Sequence, residues 1–183
     1  TDVTGPAIAI DNFRAGSIRC SLTLLCEPKD GGTTYANNVQ DTVFNVMVDQ
    51  DVPIRVEEND HYLFTQWSDG NDNAKRTITI KDPTDQAEDP NIYTAQFIEA
   101  AYVATAVEPA DSGYVNGGNE KYPLGEEVTL GAYNNSGWRF NRWQDDDDDP
   151  ETDPIPDWRS FTCTEKDRDR VYTAVFTPVI EVE

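Results

Sequence analysis

Five aspartates stand in a row at positions 145–149, directly after Trp143 and Gln144. Between Asp145 and Asp157 there are eight acidic residues and no basic one. Calcium takes about six to eight oxygen ligands, and carboxylates at alternating positions can supply them. Asp145, Asp147 and Asp149 are therefore candidate calcium ligands. The run departs from the spaced D-x-D-x-D-G loop that ends in Glu, and five adjacent carboxylates repel one another, which favours an open, hydrated loop. Three readings stand: a specific calcium site, diffuse cation binding, and a solvated turn stiffened by Pro150, Pro154 and Pro156. A smaller version, SDGNDN at 68–73, follows Trp67. Asp69, Asn71 and Asp72 could offer oxygens there, but Asp-Gly and Asn are also what a tight turn requires.

Other reactive residue types are sparse. The only histidine, His61, has no serine or cysteine placed to make it a catalytic base. The pairs Glu57 with Glu58 and Glu126 with Glu127 have the residue type of glycosidase carboxylates. Both pairs sit at strand edges in equivalent regions, so surface charge is the simpler account, and the sequence points to no catalytic residue. Cys20 and Cys26 fall in one extended segment, roughly 20 Å apart, too far for a bridge that needs Cα atoms within about 7 Å. A bridge from Cys163 to either remains open. No C-x-x-C pair exists, which argues against zinc. Trp158 lies beside the acidic run and is a candidate exposed contact, since tryptophan is favoured at binding hot spots. Asn134, in N-N-S, fits a glycosylation acceptor. No cofactor is required by these residues; calcium is the one candidate.

The chain has 183 residues with formal net charge −21 and pI about 4.1. Residues 1–99 carry 7 basic and 17 acidic groups (7 − 17 = −10) and residues 100–183 carry 7 and 18 (7 − 18 = −11), so the acidity is spread evenly. Such a surface repels nucleic acid and anionic membranes. No apolar run approaches the ~20 residues of a membrane span. Cations, basic surfaces, protein partners, self-assembly and glycans remain as binding possibilities.

The elements that must position these residues occur twice. YTAQF (93–97) answers YTAVF (172–176). Trp67 in HYLFTQWSDGN answers Trp143 in GWRFNRWQDDD. V-x-I-x-V at 52–56 parallels V-x-L-x-A at 128–132, LTLLCEPKDGG parallels VATAVEPADSG, and RTITIKD parallels RSFTCTEKD. Five blocks recurring in one order mark a repeat. Within each block apolar and polar residues alternate, the period of a half-buried strand. Leu22, Leu24 and Cys26 share a face, as do Val128, Leu130 and Ala132. EPKDGG, WSDGNDN and PADSGYVNGGN are turn chemistry. The expected fold is all-β: two tandem small β domains of about 80 residues each, at 17–99 and 100–183, with an N-terminal extension strand in 1–16. Trp67 and Trp143 then belong to the repeat cores, as do Cys26, in register with Val107, and Cys163, in register with Ile80.

The blocks VEPADSGYVNGGNEKYPLGEEVTLGAYNNSGWRFNRWQD and VYTAVF resemble the bacterial repeat domain related to the internalin-type B repeat. The first copy keeps CEPKDGG, VPIRV, HYLFTQWSDGN and YTAQF but lacks the Y-P-L-G-E-E-V turn, which about five extra residues within 33–51 replace. The resemblance implies a non-enzymatic, secreted or cell-surface structural or adhesive tandem-repeat protein, with an extracellular location. Two alternatives stand beside it. Residues 1–16 belong to neither repeat, and Ala7, Ile8, Ala9 and Ile10 could add as a strand to a neighbouring subunit, giving an extracellular filament or virion-surface assembly. A polysaccharide-binding module, with Trp158 and the acidic loop near its site, is the other.

Overall fold

The computed structural model describes residues 18–144 and 156–180. Within them the alternating segments form β1 (Arg19–Glu27), β2 (Gly32–Ala36), β3 (Val39–Gln40), β4 (Val43–Met47), β5 (Asp51–Glu58), β6 (Tyr62–Trp67) and β7 (Lys75–Thr79). There follow β8 (Ile92–Glu108), β9 (Gly113–Asn116), β10 (Glu120–Pro123), β11 (Glu127–Asn134), β12 (Trp138–Gln144), β13 (Trp158–Thr162) and β14 (Val171–Pro178). Two short 3-10 turns, Pro83–Asp85 and Glu165–Asp169, precede β8 and β14. The fold is all-β, as the two-residue period requires.

Each half is a two-layer sandwich of the same topology. In the first half one layer runs β4–β1–β8–β6 and the other β3–β2–β5–β7. In the second half the layers are β10–β8–β14–β12 and β9–β11–β13. In both, the first strand pairs in parallel with the last: Leu24 opposes Tyr93, and Thr105 opposes Tyr172. The burial of β5 and β11 alternates identically along eight residues. Their inward residues, Val52, Ile54 and Val56 in one and Val128, Leu130 and Ala132 in the other, meet the inward residues of the facing layer. The extra residues of the first copy form β3 and β4, where the second copy has only β10.

An aromatic cluster recurs at the centre of each core. Phe64 contacts Trp67 and Phe97 edge-on, at 5.8 and 5.9 Å between centroids. Phe140 contacts Trp143 and Phe176 at 5.7 and 5.9 Å. Phe and Trp are three residues apart, so a regular strand would point them to opposite faces. One extra residue in β6 (between Phe64 and Gln66) and one in β12 (between Phe140 and Arg142) breaks the pairing register. This bulge returns the tryptophan to the core side: Trp67 is 0% and Trp143 8% exposed. The glycines of the first turns make room for the same cluster. A Cβ on Gly32 would lie 2.5 Å from Phe97 Cζ, and one on Gly113 2.6 Å from Phe176 Cζ.

The two sandwiches share one strand. β8 has 17 residues and spans about 56 Å at 3.3 Å per residue. Its first part pairs with β1 and β6, and its second with β10 and β14. The sequence-based boundary between residues 99 and 100 falls inside this continuous strand, with one hydrophobic cluster on either side. Both Glu-Pro bonds that end the first strand of a copy, Glu27–Pro28 and Glu108–Pro109, are cis.

Candidate binding surface on the outer sheet

β11 alternates, so with Val128, Leu130 and Ala132 inward, Thr129, Gly131 and Tyr133 face out. Register then places the neighbours. Tyr114 of β9 lies opposite Tyr133, and Trp158 of β13 lies opposite Gly131. The two tyrosine rings stack at 5.1 Å between centroids with 14° between their planes. The Tyr133 ring leans along its strand over Gly131, where an added Cβ would come within 3.1 Å of it. All three aromatic side chains are open to solvent: Tyr114 57%, Tyr133 48% and Trp158 58% exposed. Asn116 faces out beside them, and Thr129 and Ser160 join hydroxyls at 2.6 Å on the same face.

The first sandwich carries different chemistry on the equivalent face. By register, Thr33, Glu57, Arg55 and Lys75 occupy the places of Tyr114, Tyr133, Gly131 and Trp158. There the Arg55 guanidinium lies 3.7 Å over the Tyr35 ring and pairs with Glu57, which also accepts from the Tyr35 hydroxyl at 2.8 Å. The Tyr35 hydroxyl bond, then that of Arg55, holds the Glu57 carboxyl below its ordinary range. One face closes on itself through charge; the other leaves aromatic rings open.

Of the residues singled out in the sequence, Trp158 joins this surface. The candidate calcium ligands Asp145, Asp147 and Asp149, and the candidate strand-addition residues Ala7, Ile8, Ala9 and Ile10, lie outside the described residues. Among the described residues no group of three or more His, Cys, Asp or Glu side chains gathers as a metal site would. The 68–73 turn satisfies itself: Asp69 accepts from Arg76 at 2.8 Å and from the Asn71 N–H, and Asn71 accepts from the Asn73 N–H. Burial pushes the Asp69 carboxyl up, but the Arg76 and Asn71 bonds outweigh it and the net shift is downward. Asn134 is exposed, and its amide donates to the Trp138 carbonyl at 2.8 Å.

The other candidates are separated from one another. His61 is exposed, and its carbonyl accepts from the Ala100 N–H. Glu58 accepts from the Phe64 N–H and pairs with Lys121 across the junction. All three cysteines are free: Cys163 is buried, while Cys20 and Cys26 are half-buried against the first core. Burial raises each thiol above its ordinary pKa, and nearby carboxylates add to this at Cys20 and Cys163, so none has the lowered pKa of a reactive cysteine. An open cavity of about 820 Å³ lies where the first copy diverges, lined by Leu24, Cys26, Thr34, Thr42 and Thr94 among others.

Two sets of residues escaped the sequence reading. Tyr133 falls on the outward phase of a strand whose other face, Val128, Leu130 and Ala132, was recognised, so the alternation could have exposed it; Tyr114 lies in PADSGYVNGGN, expected to be turn, of which Gly113–Asn116 forms β9. Lys121 could not have been found that way. Its ammonium donates to the carbonyls of Asn59 and Tyr62, both at 2.8 Å, from the other copy.

No curated protein and no solved structure matches the chain. A family model does, over residues 103–180, described as a divergent InlB B-repeat domain. That span runs from the second part of β8 through β14, one complete sandwich with its aromatic cluster and its outward aromatic face. The likeness to that family thus covers the second sandwich, less than half of the chain.

Proposed function

We propose that the chain is a non-enzymatic spacer segment of a bacterial surface or extracellular protein, built to hold whatever it carries at a set distance. The likeness of residues 103–180 to the divergent InlB B-repeat family supports a surface repeat of this kind. The single observation that carries the spacer reading is β8. A linker between independent domains is normally an exposed loop with few contacts across it. Here the connection is a strand hydrogen-bonded on both sides, with Ala100 and Ala101 fully buried.

Side chains brace the same point. Lys121 reaches the β5–β6 turn of the first sandwich. Arg168 reaches back from the turn before β14 to the Ala100 carbonyl and to Glu99, both at 3.3 Å. Bending at the junction would break these bonds together with the strand pairing.

Small-angle X-ray scattering tests this. The native chain is expected to fit one conformation. A variant with two glycines inserted between Glu99 and Ala100 is expected to need a distribution of inter-sandwich distances. A native chain as broadly distributed as the insertion variant overturns the reading.

A further inference from the structure

We propose that the outer face of β9, β11 and β13 is a docking platform for an uncharged polysaccharide, whose sugar rings lie on Tyr114, Tyr133 and Trp158. The inference goes beyond the spacer reading, and either can fail without the other.

The fold does not require these rings. The first sandwich is built on the same topology with Thr33, Glu57 and Lys75 in their places. Three large aromatic side chains left about half exposed on one sheet add little to core burial, so their presence calls for an external partner. Their arrangement suits a sugar. The faces of pyranose rings present C–H bonds with weakly positive hydrogens, and the faces of aromatic rings are negative. The Tyr114–Tyr133 stack and Trp158, two residues along and one strand across from Tyr133, give surfaces about 8 Å apart. Asn116, Thr129 and Ser160 set amide and hydroxyl groups among them for the sugar hydroxyls.

Charge and size choose among occupants. No lysine or arginine faces outward on this sheet among the described residues, and the chain carries −21, so an anionic polymer is repelled. Three strands at ~4.8 Å spacing and eight residues at ~3.3 Å cover about 400 Å². That is roughly half of the ~800 Å² per partner that a stable protein interface buries, but a few sugar rings fit on it.

Isothermal titration of the full chain provides the test. The probes are hexasaccharides of β-1,4-linked glucose, mannose and N-acetylglucosamine, with hyaluronan and heparin hexasaccharides as anionic comparisons. At least one neutral probe is expected to bind with Kd at or below about 1 mM. Trp158→Ala and Tyr133→Ala should each weaken it tenfold or more with unchanged melting temperature, and Trp158→Phe should restore most of the loss. Tyr35→Ala, on the equivalent face of the first sandwich, should leave it unchanged. Absence of binding by every neutral probe at about 10 mM, binding of the anionic probes alone, or binding indifferent to Trp158 and Tyr133 overturns the proposal. So does light scattering that shows native self-association abolished by Trp158→Ala, which would make the face a contact between copies.

Discussion

The ammonium of Lys121 lies 2.8 Å from the carbonyl oxygen of Tyr62, joining residues 59 positions apart in sequence and on opposite sides of the sandwich junction. A second carbonyl, that of Asn59, lies at the same distance, and Glu58 completes the set at 3.3 Å. Lys121→Met keeps most of the aliphatic stem and removes the donor. Its expected cost is about 2 kcal/mol, the scale of hydrogen bonds to a charged group, read as a lower urea midpoint. A loss below about 0.5 kcal/mol, typical of surface substitutions, would mean that the junction rests on β8 and Arg168 without Lys121.

The bulge in β6 links two changes at one exposed residue. Thr65 sits where the pairing register shifts, and its hydroxyl donates to the Gln96 carbonyl at 3.0 Å. Thr65→Ala should cost about 1 kcal/mol. Deleting Thr65 removes the extra residue but leaves Phe64 opposite Phe97, Gln66 opposite Gln96 and Trp67 opposite Ala95, so Trp67 stays in the core and the cost should also be about 1 kcal/mol. Chemical denaturation of both variants checks this; a loss of about 4 kcal/mol on deletion, the scale of taking a large side chain out of a core, would show that Trp67 had left it.

Gly113→Ala and Gly32→Ala place a methyl group against Phe176 and Phe97. Each should cost about 2–3 kcal/mol by overpacking, and near-ultraviolet circular dichroism should register the disturbed aromatic cluster. Gly137→Ala, whose Cβ meets nothing within 4 Å, is strained only by its φ of +84° and should cost less, about 1 kcal/mol.

Alkaline pH should weaken the second sandwich through Tyr172. Its hydroxyl donates to the buried Asp167 carboxylate, which also accepts from the Thr164 N–H and hydroxyl. Burial first, then the Asp167 bond, pushes the Tyr172 pKa well above its ordinary value of 10.0. A raised folded pKa favours the protonated form. The stability it contributes is therefore complete below the unfolded value near 10 and is lost as pH rises toward the folded one. Urea midpoints should fall between about pH 10 and pH 11.5, less steeply in Tyr172→Phe. Tyr35, Tyr62, Tyr93 and Tyr122 are raised as well, so a residual slope belongs to them.

A net charge of −21 on one folded chain should be relieved by salt. The melting temperature is expected to rise between about 0.02 M and about 1 M NaCl, as the screening length falls to roughly 3 Å. An unchanged melting temperature would mean that ion pairs such as Arg76 with Asp69 and Arg168 with Glu99, which salt weakens, balance the repulsion.

The candidate surface was legible in part. Trp158 stood out because it lies beside an acidic run. Its partners did not, because Tyr114 and Tyr133 are 19 positions apart and only antiparallel register sets them face to face. The bulges were hidden for a related reason. F-x-x-W reads as a break in the two-residue period unless the partner strand shows where the extra residue is absorbed.

By itself, the sequence determined most of the strands, the faces their residues share and the doubling of the unit. Alternation and turn chemistry are local properties, and a repeated local pattern folds to a repeated local result. That is why Val52, Ile54 and Val56, like Val128, Leu130 and Ala132, share one strand face by alternation alone, the face that the structure buries. Only the tertiary structure decided that the last strand of one copy and the first of the next are a single β8, that Lys121 spans the junction, and that three aromatic rings share an outward face. These depend on which strands pair and in what register. Pairing is set by the summed burial of two packed layers, which no short window of residues contains.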